Sequence, residues 1–154
     1  MIRTDPIDSV LVDGQYVYGA GKILYADQSD EKLYLGADAK FPIGISAGEG
    51  ERAAGGAYKA AGARVSFYPL GGVLMVQAAA SQSFKPGMIV YAGANGLALD
   101  SQDNSEKKLG IFVGGTTTAS AALGPNGAGD SAAATSEGLM VLVNTAFAEA
   151  GLNT

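Results

Sequence analysis

Cysteine and histidine are both absent from this chain of 154 residues. Without cysteine there is no disulfide, no thiolate nucleophile and no thiolate metal ligand. Without histidine there is no Ser-His-Asp or Cys-His catalysis, none of the usual zinc sites, and the commonest general base at neutral pH is missing. A metal would have to be held by oxygen ligands alone. Charge is scarce too, at 16% of residues, which is less than a helical bundle carries, so helix is expected to be the minor element. That charge sums to −5 with only ten basic residues, which argues against nucleic acid and against anionic membrane as partners. Long apolar runs are missing: those around 71–80 and 139–143 fall far below the roughly 18 to 20 residues that cross a bilayer. The first nine residues hold no apolar signal core, and a soluble protein made in the cytoplasm is expected.

What the chain does have is glycine, 23 residues of it, and an apolar fraction of 47%. Short apolar runs bounded by glycine, proline and Asn-Gly predict strands at 10–12, 15–18, 22–26, 33–35, 42–46, 64–68, 73–76, 88–92, 97–100, 109–113 and 138–143. Their spacing predicts an all-β fold, a small β-barrel or β-sandwich with long Gly/Ala-rich loops. Gly93-Ala94-Asn95-Gly96 reads as a hairpin turn whose Asn-Gly favours positive φ. Residues 48–62 read as a loop because Gly55-Gly56 interrupts the alanines, and 116–136, built of small residues, reads as a long loop. One β domain is expected over 10–143, with an N-terminal arm at 1–9 and a tail at 144–154 that contains one helical turn at 146–150.

Parts of the chain echo one another. Gly44-Ile45 and Gly110-Ile111 are 66 apart (110 − 44), and so are 72–76 and 138–142 (138 − 72). Residues 14–18 resemble 87–91 at an offset of 73 (87 − 14). A duplicated β unit is expected, with pseudo-repeats at 14–77 and 87–143.

The motifs that carry chemistry elsewhere are weak here. Gly19-Ala20-Gly21-Lys22 lacks the spacing and the hydroxyl of a phosphate-binding loop and is followed by a strand, so it reads as a turn. Asp100, Asp103, Asn104 and Glu106 share one loop, and Asp27, Asp30 and Glu31 an earlier one; neither meets a calcium-loop pattern, and both read as solvated turns. The seven tyrosines, Tyr16, Tyr18, Tyr25, Tyr34, Tyr58, Tyr68 and Tyr91, suit strand edges and interfaces, with stacking on sugars as the functional alternative. No catalytic residue, cofactor or metal is expected, and no enzyme.

From residue 62 onward the order of elements resembles the small capsid decoration, or cement, proteins of tailed bacteriophages. The residues that carry the likeness are Val65-Ser66-Phe67 through Gly71-Gly72-Val73, then Lys85-Pro86-Gly87-Met88-Ile89-Val90-Tyr91, Leu97-Ala98-Leu99-Asp100, and Leu109-Gly110-Ile111-Phe112-Val113-Gly114. The run from Gly138 to Val143 fits the last strand of that family. The likeness covers 62–143 best and 10–46 weakly, and the loop 116–136 is longer than the pattern.

The resemblance implies a virion protein, commonly a homotrimer, that binds the outer surface of an assembled head through the major capsid protein. On that expectation Ile2, Arg3, Thr4, Pro6 and Ile7 form a capsid-contact arm. Val73, Leu74, Met75, Val76, Leu139, Met140, Val141 and Leu142 form the subunit-contact strands. The alternatives are a tail or head-fibre component and a carbohydrate- or cell-surface-binding β module.

Overall fold

The computed structural model describes residues 5–13, 15–36, 40–59, 62–80, 82–103, 105–118 and 139–149. Among these residues ten strands form two closed barrels of five strands each, in the all-β class the sequence predicts. The first holds β1 (Ile7–Val12), β2 (Ile23–Ala26), β3 (Leu33–Tyr34), β4 (Phe41–Ser46) and β5 (Ala63–Pro69). The second holds β6 (Val73–Ala78), β7 (Ile89–Ala92), β8 (Ala98–Leu99), β9 (Lys107–Thr118) and β10 (Leu139–Asn144). Closure pairs the first strand of each barrel with the last on one side, and on the other side the first strand meets the third through a single residue pair.

The barrels have the same topology, β1-β3-β2-β4-β5 and β6-β8-β7-β9-β10, each with one parallel contact, Val12 with Leu33 and Ala78 with Ala98. Register repeats as well. Ile23 pairs with Ile45 and Leu24 with Gly44; 66 positions on, Ile89 pairs with Ile111 and Val90 with Gly110. The ladder irregularity between Leu24 and Tyr25 recurs between Val90 and Tyr91. The last strand matches at a longer offset: Val65 opposite Val10 becomes Val141 opposite Val76.

The duplication is therefore real, but its halves run from β1 to β5 and from β6 to β10, not over 14–77 and 87–143. Residues 73–76 and 139–142 belong to neighbouring strands of the same uncharged wall. They are antiparallel neighbours, Met75 opposite Leu142, and not equivalents. The counterpart of 87–91 is 21–25, not 14–18.

Gly44 and Gly110 show why one part of the echo is genuine. A Cβ on Gly44 would stand 2.2 Å from Cδ2 of Phe67, and one on Gly110 would stand 2.3 Å from the Asn144 carbonyl oxygen. Both barrels bring the last strand hard against the fourth, and only glycine leaves room.

Alternation sorts the side chains. Val12, Leu24, Val65 and Phe67 fill the first barrel, with Val17 and Leu35 closing it. Val76, Ala78, Val90, Phe112, Val141 and Val143 fill the second, and their cluster extends to Ile23, Tyr25 and Ile45 of the first barrel, so one apolar core runs through the junction. Each fully buried Val, Leu or Phe in such a core contributes roughly 1.5–3 kcal/mol.

Several boundaries differ from expectation. Ile7, expected in an arm, opens β1 and pairs with Phe67, so an arm can comprise at most the residues before it. Residues 15–18 pair with no strand, although Tyr16 and Val17 are buried and the Val17 carbonyl accepts the Gly50 N–H at 2.9 Å. β9 carries on to Thr118, into residues expected to be loop, while 119–136 lie outside the described residues. The expected turn at 146–150 is a 3₁₀ turn over Thr145–Phe147. Thr145 pins it: its Oγ1 donates to the Gly72 carbonyl at 2.7 Å and accepts the Gly71 and Gly72 N–H groups, fixing the link between the barrels.

Candidate interaction surface

The outward-facing positions of β6, β10 and β9 form a strip of aliphatic side chains. Val73 is 55% exposed, Met75 52% and Val113 46%, and half-buried Leu142 lies opposite Met75. Strand pairing carries the strip sideways from Val73 through Asn144 and Ile111 to Ile89. Phe147, on the 3₁₀ turn that follows β10, is exposed beyond it. No charged residue occurs in β6 or β10, or in β9 after Lys108. An uncharged aliphatic face of this kind is a candidate contact surface, because water around it gains freedom when such a face is covered.

The expected subunit-contact residues divide on this geometry. Val73 and Met75 face solvent, and Leu142 faces partly outward. Val76 and Val141 lie in the core, with Leu74 packed against it. Met140 packs against the first barrel at Gly21, so it serves the junction inside one chain. For Leu139 only the backbone pairing with Ala78 and Thr118 is described. Of the expected arm, Ile2, Arg3 and Thr4 lie outside the described residues, Pro6 is half-buried, and Ile7 packs against the core of the first barrel.

The equivalent face of the first barrel has the opposite chemistry. Ser66 holds the place of Leu142, and its hydroxyl donates to Asp8 at 2.8 Å, about where Met75 stands in the second barrel. Around this pair lies an open cavity of about 340 Å³ lined by Asp8, Glu49, Glu51, Arg64, Val65 and Ser66. Its carboxylates are engaged. Glu51 accepts the Arg64 N–H at 3.2 Å and faces Lys59 at 3.6 Å, and Glu49 takes Arg52 and the Tyr16 hydroxyl. The Tyr16 hydroxyl holds the Glu49 carboxyl below its ordinary range, with Arg52 adding to the effect. Burial, reinforced by Glu49, raises the Tyr16 phenol.

The tyrosines do not share one platform. Tyr16, Tyr18 and Tyr58 pack ring against ring with centroids 4.8–5.2 Å apart, and Arg52 lies 4.6 Å over Tyr58. Tyr34 donates to Asp30, and that bond pushes its phenol up to about 12. Asp27 closes its own turn by accepting the Ser29 N–H and hydroxyl, and Asp100 accepts the Ser83 N–H at 2.7 Å, which ties its loop to the segment before β7. No model of a known protein family matches the chain, and no curated protein matches it.

The junction between the barrels is the feature that sequence reading missed. Gln77, fully buried, donates its backbone N–H to the Gly21 carbonyl at 2.8 Å and its amide to the Ala20 carbonyl at 2.7 Å. Its Oε1 has no partner among the described residues. Tyr25, buried, donates its hydroxyl to the Gly93 carbonyl at 2.6 Å. A glutamine inside the apolar run 73–78 was the one available signal, since a polar side chain on a buried strand needs a partner from elsewhere in the fold.

Proposed function

We propose that this protein is a structural component of a tailed-phage virion that binds the outer surface of the assembled head and stabilises it by bridging capsid subunits. The observation that carries the reading is the uncharged strip of Val73, Met75, Val113 and Leu142 on the second barrel. It offers apolar area without charges to desolvate, which suits a permanent contact with another protein surface. The closed barrels keep their shape while that surface is covered. The order of elements over 62–143, which resembles decoration proteins, supports the same reading, and so does a sequence without histidine or cysteine.

Bridging adds buried area across seams that would otherwise open under internal pressure. Heads with and without the protein are heated, and DNA release is followed. Decorated heads release DNA at higher temperature, and Met75→Asp protein fails to confer the gain. Equal robustness with and without the protein overturns the reading, and labelled protein found on tails or fibres in virion images replaces it with the fibre alternative.

A further inference from the structure

The two barrels meet through unlike faces. The first contributes Gly21, Ile23, Tyr25 and Ile45, all buried; the second contributes Gln77, Met140 and the turn at 93–97. A Cβ on Gly21 would stand 2.8 Å from Cε of Met140, and one on Gly96 would stand 2.8 Å from the Ile23 carbonyl oxygen.

The internal repeat shows where each of these faces recurs. Gly21, Ile23, Tyr25 and Ile45 correspond to Gly87, Ile89, Tyr91 and Ile111. Gln77 and Met140 correspond to Leu11 and Arg64, and the turn at 93–97 corresponds to the turn at 27–32. The recurring faces are open. Gly87 has the left-handed backbone of Gly21, φ +90° against +92°, yet a Cβ there would meet nothing within 4 Å. Ile89 is 38% exposed where Ile23 is fully buried, and Leu11 is 43% exposed where Gln77 is fully buried. Each molecule thus carries one completed junction and the two separate halves of another.

We propose that these halves join between molecules: the β7–β9 face of one chain seats on the Leu11 face of a second copy in the same sense as the two barrels of one chain meet, but less closely at the turn, because 27–32 has no glycine to take the place of Gly96. Leu11 is the large apolar side chain that the first barrel exposes among the described residues, and it stands where the junction needs a contact. Arg64 offers an aliphatic stem where Met140 offers a thioether. Charge is brought into the contact as well: Lys108, exposed and with its backbone N–H on the Glu149 carboxylate, is the cross-strand neighbour of Tyr91, and the turn that would face it carries Asp27, Asp30 and Glu31 beside Lys32, which pairs with Asp13. Because the faces are unlike, copies associate head to tail, which closes into a ring or continues as a filament. The inference rests on the repeat and not on the capsid reading, so it stands or falls in the absence of heads.

The test is a complementation of masses. The full chain, Leu11→Asp and Ile89→Asp are measured by light scattering, alone and mixed. The wild type exceeds the 15.4 kDa of one chain, and each variant alone falls to it. An equal mixture forms a dimer, because one variant keeps the β7–β9 face and the other keeps the Leu11 face. Met75→Asp, outside both faces, keeps the wild-type mass. A monomeric wild type, variants that keep the wild-type mass, a mixture that stays monomeric, or dissociation by Met75→Asp overturns the inference. Should either aspartate variant lose the wild-type circular dichroism spectrum, Lys108→Glu and Glu31→Lys replace the pair. Each then weakens association alone and restores it when both are combined in one chain; no restoration overturns it.

Discussion

Tyr25 and Tyr91 occupy the same place in the two barrels, yet Tyr25 is fully buried with its hydroxyl on the Gly93 carbonyl, and Tyr91 is partly exposed. The fold repeats its backbone while using each copy of a side chain differently.

Phenylalanine at the two positions separates backbone role from junction role. Tyr25→Phe leaves the Gly93 carbonyl without its donor at the junction and costs about 1–3 kcal/mol. Tyr91→Phe stays within about 0.5 kcal/mol of wild type. Urea unfolding of the two variants checks both values, and equal losses would remove the hydrogen bond from the account of the junction.

Glycine in the fourth strand of each barrel is required by space. Gly44→Ala and Gly110→Ala force a Cβ into Phe67 and into the Asn144 carbonyl, and each costs roughly 1–3 kcal/mol or more. Gly36→Ala, where a Cβ meets nothing within 4 Å, stays within about 0.5 kcal/mol. Thermal melts of the three variants give the order.

The Oε1 of Gln77, without a partner among the described residues, makes that residue a sensitive position. Gln77→Leu gives up the bond to Ala20 but removes the unsatisfied oxygen, and it stays within about 1 kcal/mol of wild type. Leu11 is the residue that the other barrel has at this place. Gln77→Glu buries a charge without a partner and costs about 3–5 kcal/mol at neutral pH. That loss shrinks as pH falls, because the buried carboxyl is neutral below its raised pKa. Unfolding free energies measured at neutral and acidic pH test the sign.

Alkali destabilises the fold through its buried phenols. Burial raises the phenols of Tyr25 and Tyr16 above the ordinary value of 10.0. Below that value both residues are neutral whether the chain is folded or not, and their contribution is fully present. Above it the unfolded chain releases protons that the folded chain retains, so stability falls with rising pH. Phenolate absorbance of these two residues is expected to appear together with loss of the fold. Ionisation of Tyr16 and Tyr25 while the circular dichroism spectrum stays that of the folded chain would contradict the burial.

Much of the fold was legible where a local rule had no competitor. Asn95-Gly96 announced its turn, and Asn95 is the one described non-glycine residue with positive φ, at 57°. The strand at Ile89–Ala92 and the echo of Gly44-Ile45 in Gly110-Ile111 were legible because strand propensity and steric need repeat with the sequence. The segment 15–18 misled, since Tyr16 and Val17 are buried as lid residues without entering a ladder. Ile7 was hidden by its polar neighbours, because burial against Phe67 is decided by a strand sixty residues away (67 − 7). Alternation along 73–76 implied that half of those side chains face outward. Which half meets solvent, and that Gln77 and Met140 face a second barrel, depends on tertiary packing that one strand does not encode.

The closure of each barrel on its own first strand also governs how the chain is made. β5 completes the first barrel before any of β6 has been needed for pairing, so the leading half of a nascent chain can lock its ladder while the trailing half is still being synthesised. Every strand in it then has its partners, and none is left to pair with the nearly identical topology that follows. Two adjacent copies of one topology are prone to exchanging strands; here the order of synthesis itself guards against that exchange.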